Sequence, residues 1–142
     1  MEKKIIGYTT GVYDMFHIGH LNILRNAKSM CDYLIVGVST DELVQKEKNK
    51  TPVIPYAERK AIIEAIRYVD QVVPQTDKNK MGAWEKLHFD KMFVGSDWKG
   101  TPQWNQYEEQ FKEVQVEIVY LQHTDGISST ELTEFVKHHM TR

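Results

Sequence analysis

The run Tyr33-Leu34-Ile35-Val36-Gly37-Val38-Ser39 is apolar almost without interruption. A strand with one wet face alternates apolar and polar residues. A continuous run belongs to a strand covered on both faces, as in a parallel sheet with helices above and below. Shorter runs of the same kind recur at Ile5 to Thr9, Val69 to Val73, Met92 to Val94 and Val116 to Leu121. Pro74 is expected to stop the run Val69 to Val73, and Gly95 the run Met92 to Val94. Helical patterns lie between them. One carries Leu21, Leu24, Ala27 and Lys28; another runs from Pro55 to Ile66, with Pro55 at or just before its first turn. Gln103 to Glu113 is a polar helix with Tyr107 and Phe111 on one side, and Ser129 to His139 closes the series. This alternation predicts an α/β fold with a doubly wound parallel sheet. A length of 142 residues suits one core, so a single domain over 1–142 is expected.

Composition removes several function classes. A formal net charge of −2 and a pI near 6.3 do not suit a protein that binds nucleic acid backbone. No apolar run approaches the roughly 20 residues of a membrane span. Met1 to Ile6 lacks the long apolar stretch and small-residue cleavage site of a secretory signal. Cys31 is the sole cysteine, so no internal disulfide forms; it reads as a packing residue, and a cytoplasmic setting is expected.

Ligands of doubly wound sheets bind at the carboxyl ends of the strands. Three segments follow strand ends: Gly11 to His20, Gly95 to Gly100, and His123 to Thr130. The first sets His17 and His20 where a strand gives way to a helix. A helix start offers N–H groups and partial positive charge, and imidazoles add donors near pH 7. Gly11 and Gly19 would let a polyanion, above all a nucleoside triphosphate, come close. Residues three apart share a helix face, which also raises a metal site. Helical zinc motifs space their histidines four apart around a Glu, and structural zinc favours cysteine-rich sets, so no metal ligands are assigned.

Other segments have two readings each. Ser128, Ser129 and Thr130 would form a second anion cradle at a helix start, or a plain N-cap. The charge-rich stretch Gln45 to Pro52 reads as a mobile surface loop; on composition alone Lys46 and Lys48 are solvated, and a lid role for them over phosphates rests on family resemblance. In Ser96-Asp97-Trp98 the Trp either stacks on a ligand or anchors the core. Trp84 and Trp104 read as packing residues.

The segment Gly-Val-Tyr-Asp-Met-Phe-His-Ile-Gly-His at 11–20 resembles the opening signature of the nucleotidyltransferase superfamily with a His-x-Gly-His motif. Further segments agree in order: Ser39-Thr40-Asp41-Glu42, Tyr56-Ala57-Glu58-Arg59, Ile66-Arg67-Tyr68-Val69-Asp70, Val94-Gly95-Ser96-Asp97-Trp98, and Thr124-Asp125-Gly126-Ile127-Ser128-Ser129-Thr130. The match is best to cytidylyltransferases acting on glycerol 3-phosphate, phosphocholine or phosphoethanolamine, and the bacterial glycerol-3-phosphate enzymes are nearest in length.

The resemblance implies a Rossmann-like sheet, a homodimer, and transfer of a cytidylyl group from CTP to a phosphorylated alcohol. The best-matched product is CDP-glycerol, of the kind used in teichoic acid synthesis, with Mg²⁺ accompanying the triphosphate. An adenylyltransferase of the same fold and a non-catalytic nucleotide-binding module are the alternatives. His17, His20, Lys46 and Lys48 would be catalytic. Thr10, Gly11, Val12, Tyr13, Asp14, Gly19, Asp97, Trp98, His123, Thr124, Gly126, Ile127, Ser128, Ser129 and Thr130 would contact the nucleotide. Lys46, Arg59, Arg67 and Asp97 would meet the acceptor, with Arg67 equally suited to a surface position or a subunit contact. Asp14 would either help orient Mg²⁺ or hold its loop. His123 stands where the family usually has Arg, which holds phosphate bidentately and is always charged.

Overall fold

The computed structural model describes residues 4–122. β1 (Ile6–Gly11) leads to α1 (Ile18–Ser29), and β2 (Tyr33–Ser39) to α2 (Asp41–Lys48) and α3 (Tyr56–Glu64). β3 (Gln71–Gln75) is followed by α4 (Lys80–Leu87). β4 (Lys91–Gly95) runs through a short turn at Ser96–Trp98 into α5 (Pro102–Glu113), and β5 (Glu117–Leu121) follows. The five strands form one sheet in the order β3-β2-β1-β4-β5. Every pairing is parallel, as the doubly wound expectation requires. The helix expected from Ser129 to His139 lies outside the described residues.

β2 explains its own sequence. Leu34, Val36 and Val38 pack with Leu24 and Ala27 of α1 and Ile63 of α3. Ile35, on the opposite face, packs with Tyr8, Phe89, Met92 and the α5 residues Trp104 and Phe111. Successive side chains of a strand point to opposite faces, so a strand shared by two cores shows no alternation. Each such aliphatic side chain contributes about 1.5–3 kcal/mol when buried. Gly37 is required by packing, because a Cβ there would meet the Tyr8 hydroxyl at 2.7 Å.

Three elements depart from expectation. β3 does not stop at Pro74, which pairs with Val38 inside the strand. Among the described residues β3 is an edge strand with a partner on one side only, so a missing N–H is tolerated there. The stretch Gln45 to Pro52 is not a mobile surface loop throughout, since its first half belongs to α2. Thr40 caps that helix by accepting from the Leu43 N–H at 3.2 Å, Asp41 and Glu42 suit its positive end, and Asn49 closes it at φ 51°. α4 was not anticipated at all; Asn79 caps it by accepting from Gly82 N–H at 2.9 Å.

The connection between α2 and α3 is tied down by Arg59, which lies 1% exposed on α3. Its Nε donates to the Ile54 carbonyl at 2.8 Å. One Nη1 donates to the carbonyls of Val12 at 2.7 Å and Ser39 at 2.8 Å. Nη2 meets Asp41 Oδ1 at 2.6 Å, while Asp41 Oδ2 accepts from the Tyr56 N–H at 3.1 Å. One planar fork thus joins the β1–α1 loop, the end of β2, the start of α2 and the entry to α3. Removing a buried partner of this kind strands the others without hydrogen bonds. Arg59→Ala is expected to lower unfolding free energy by about 3–5 kcal/mol in urea titration. Arg59→Lys, a point charge with no fork, should recover only part of that. A loss within experimental error would refute the clamp.

Candidate active site

A cavity of about 610 Å³ opens at the carboxyl ends of the strands, where the sheet order reverses between β1 and β4. Thr10, Gly11, Val12, Tyr13 and His20 form one wall, and Asp97 and Trp98 come from the turn after β4. The expectation that these segments converge is met for the two that lie within the described residues.

The loop from Val12 to His17 is held in a costly shape. Tyr13 and Met15 have φ of 55° and 52°, the left-handed region that bulky residues seldom adopt. Such conformations cost of order 1–3 kcal/mol each and persist only when surroundings enforce them. Here Tyr13 is buried in the core beneath the site. Asp14 is buried as well, its Oδ2 accepting from Val53 N–H at 2.8 Å and its Oδ1 from Ile54 N–H at 2.9 Å. Of the two readings of Asp14, loop holding is the one this geometry supports.

The two histidines begin α1 as a reciprocal cap. His17 Nδ1 accepts from the Gly19 N–H at 3.0 Å, and His20 Nδ1 accepts from the His17 N–H at 3.2 Å. A neutral imidazole has one acceptor and one donor nitrogen. With both Nδ1 atoms accepting, each ring carries its proton on Nε2. The rings stack with centroids 4.1 Å apart. Tyr13 and Phe16 lie against His20 at 5.4 and 5.3 Å. Burial, and then the neighbouring His17, push the His20 pKa down to about 4 against an opposing pull from Asp14. His20 is therefore a neutral Nε2–H donor at pH 7. The cavity wall includes His20 but not His17.

The remaining predicted residues divide. Lys48 lines the cavity and Lys46, exposed on the same helix, does not. Burial, with Lys50 and Lys78 adding repulsion, holds the Lys48 ammonium below the ordinary lysine range. Arg59 does not fit the expected acceptor contact, because the clamp uses four of its five N–H donors and it does not line the cavity. Arg67 does not fit it either. It is exposed on the turn between α3 and β3, at the amino end of the sheet and opposite the cavity. His123, Thr124, Gly126, Ile127, Ser128, Ser129 and Thr130 lie outside the described residues.

Sequence reading missed Gln75, Lys78, Lys80 and Trp104 as cavity residues. The rule that ligands meet strand carboxyl ends would have found the first three, had Pro74 not been taken as the end of β3. Among the described residues, no group of three or more His, Cys, Asp or Glu side chains is placed to hold a metal ion. The Asp14 carboxylate is occupied by backbone N–H groups. No described helix is long and apolar enough to cross a membrane.

Sheet order, cavity and capped histidine pair define a class: a Rossmann-like α/β domain whose open end presents a capped histidine and lysines to the cavity. The chain belongs to the cytidylyltransferase-like family, whose sequence model matches residues 8–135. It is similar to the glycerol-3-phosphate cytidylyltransferase of Staphylococcus aureus, 41% identical over 133 residues, covering 93% of each chain. That of Bacillus subtilis is 40% identical over 139 residues, covering 93% of this chain and 95% of the relative. Among solved structures, a lipopolysaccharide core biosynthesis protein from Thermoplasma volcanium superposes with a TM-score of 0.75 at 26% identity, over 87% of this chain and all of that one. A pantoate-beta-alanine ligase from Francisella tularensis shares the fold, with a TM-score of 0.68 at 13% identity over 94% of this chain and 66% of its own.

In an NMR titration of the ligand-free protein, the His20 ring should change charge near pH 4 and not near 6.5. The unfolded chain binds the extra proton between those values, so His20 makes stability fall as pH drops through that window. A midpoint at the ordinary histidine value would contradict the packing described.

Proposed function

We propose that this protein transfers a cytidylyl group from CTP to glycerol 3-phosphate, giving CDP-glycerol and pyrophosphate. The observation that carries the reading is the His17–His20 cap at the start of α1, opening on the cavity in a chain of this family. The named activity of its relatives supplies the substrates.

A phosphate oxygen of the acceptor attacks the α-phosphorus of CTP in line. The bond from that phosphorus to the bridging oxygen breaks, and pyrophosphate leaves with the electron pair. No residue need act as a nucleophile, so catalysis is positioning and charge stabilisation. The His20 Nε2–H donates to an oxygen of the reacting phosphoryl group. Because it is neutral and fixed by its cap, it needs little reorganisation as charge builds. His17 positions His20 through the stacked ring and the shared backbone hydrogen bond. Lys48 at the rim, with Lys46 beside it on α2, supplies positive charge toward the departing phosphates. Mg²⁺ would enter on the triphosphate's own oxygens, since the described side chains offer it no cage. The substrates are phosphorylated pools of the cytoplasm, and we place the protein there. Arg67, away from the cavity, suits the subunit contact of a homodimer.

With Mg²⁺ and CTP, glycerol 3-phosphate should release pyrophosphate and ATP should not substitute. Release with ATP alone would sink the cytidylyl assignment. His20→Ala should lower kcat about 100- to 1,000-fold while the fold is retained by circular dichroism. Unchanged turnover in that variant would remove His20 from the chemistry.

A further inference from the structure

Rings of its own loop pack against His20. His17 stacks on it, Phe16 lies tilted at 5.3 Å, and Tyr13 meets it edge to face at 5.4 Å. These contacts are not equivalent. His17 and Phe16 are half-buried. Tyr13 is 6% exposed and belongs to the core with Leu24 and Ala27 of α1 and Val36 and Val38 of β2. Leu24 stands one turn beyond His20 on the same helix face. The Tyr13 ring therefore lies against both the imidazole and the core beneath it.

Two backbone features serve to seat this ring. Tyr13 has a φ of 55°, which a bulky residue adopts only where its surroundings enforce it. Gly11 leaves the room: a Cβ there would meet the Tyr13 ring at 2.9 Å. The chain thus accepts an unfavourable conformation at one position and gives up a side chain at another, both for the same ring.

The cap alone does not fix the imidazole. Its single hydrogen bond, from the His17 N–H to Nδ1, holds one atom of the ring and leaves tilt about that bond. An edge-to-face contact with a ring anchored in the core removes the tilt. It also excludes water. Burial is the main reason that the His20 pKa lies near 4, with His17 adding to the effect and Asp14 opposing it.

We propose that Tyr13 is a positioning residue for the transfer reaction, its buried ring holding the His20 imidazole in the orientation that the cap selects. The inference rests on the transfer reading above and deepens it. The Tyr13 side chain acts through His20. The cap decides which nitrogen carries the proton, and the Tyr13 ring decides where that proton points.

The test compares wild type, Tyr13→Leu, Tyr13→Phe and Gly11→Ala, each checked for folding by circular dichroism. NMR titration of the ligand-free proteins should find the His20 midpoint raised in Tyr13→Leu by about one pH unit or more. Gly11→Ala, whose Cβ displaces an intact ring, should move it the same way with no nucleotide present. Tyr13→Phe keeps the ring and should keep the midpoint near 4. With Mg²⁺, CTP and glycerol 3-phosphate, Tyr13→Leu should lower kcat about tenfold or more, the cost of a misdirected donor. Its KM for CTP should stay within about twofold of wild type, since the donor acts as charge builds. Tyr13→Phe should recover most of the lost kcat. A merely structural role would lower the melting temperature without this midpoint shift or this split between kcat and KM. If Tyr13→Leu does not fold, Gly11→Ala against Tyr13→Phe makes the same comparison. An unmoved midpoint in Tyr13→Leu and Gly11→Ala, a loss confined to the KM for CTP, or a Tyr13→Phe as impaired as Tyr13→Leu overturns the assignment and leaves the transfer reading standing. A wild type without turnover on CTP and glycerol 3-phosphate overturns the transfer reading, and this assignment with it.

Discussion

The Arg59 guanidinium is the interaction on which the site depends. It joins the β1–α1 loop to the end of β2, the start of α2 and the entry to α3, through the carbonyls of Val12, Ser39 and Ile54 and the Asp41 carboxylate. One of those acceptors, Val12, lies in the loop that carries two left-handed residues toward the histidines. Another, Ile54, also donates its N–H to Asp14 in that loop. The strained loop is therefore held from two sides by the same short connection. Strain of this size survives only because several satisfied hydrogen bonds would have to break together for it to relax.

What the clamp secures is donor geometry more than charge. His20 is packed into a neutral state, and its cap dictates which nitrogen carries the proton. Positive charge comes from elsewhere, from lysines on α2 and after β3 that sit at the rim or across the cavity. Separating the two duties makes physical sense. A fixed dipole can be buried beside aromatic rings at modest cost, whereas a full charge so placed would need its own counter-ion.

Much of this was legible in sequence, and the failures have common causes. β2 was plain because a strand shared by two cores cannot alternate. The segment from Gly11 to His20 was plain because glycines, histidines and a helix start coincide. Arg59 was misread because nothing local distinguishes a guanidinium that serves carbonyls from one that serves a ligand. Its partners are up to 47 residues away in the chain. α2 and α4 were missed because each is only eight residues long. They rest on caps such as Thr40 and Asn79 more than on an apolar stripe. Losing α4 and ending β3 early also hid Gln75 and Lys80, since a residue's place at a strand end is visible only when the strand is drawn correctly.

Pro74 carries one more consequence. The Gln75 carbonyl accepts from Thr40 N–H on the β2 side of the sheet, and neighbouring residues of a strand direct their polar groups to opposite sides. The nitrogen of Pro74 therefore faces outward, on the edge of the sheet formed by the described residues. A further strand arriving there would find no donor at the fourth position of a five-residue edge. The proline that ended the strand too soon on paper is thus, in three dimensions, a guard against edge-to-edge association.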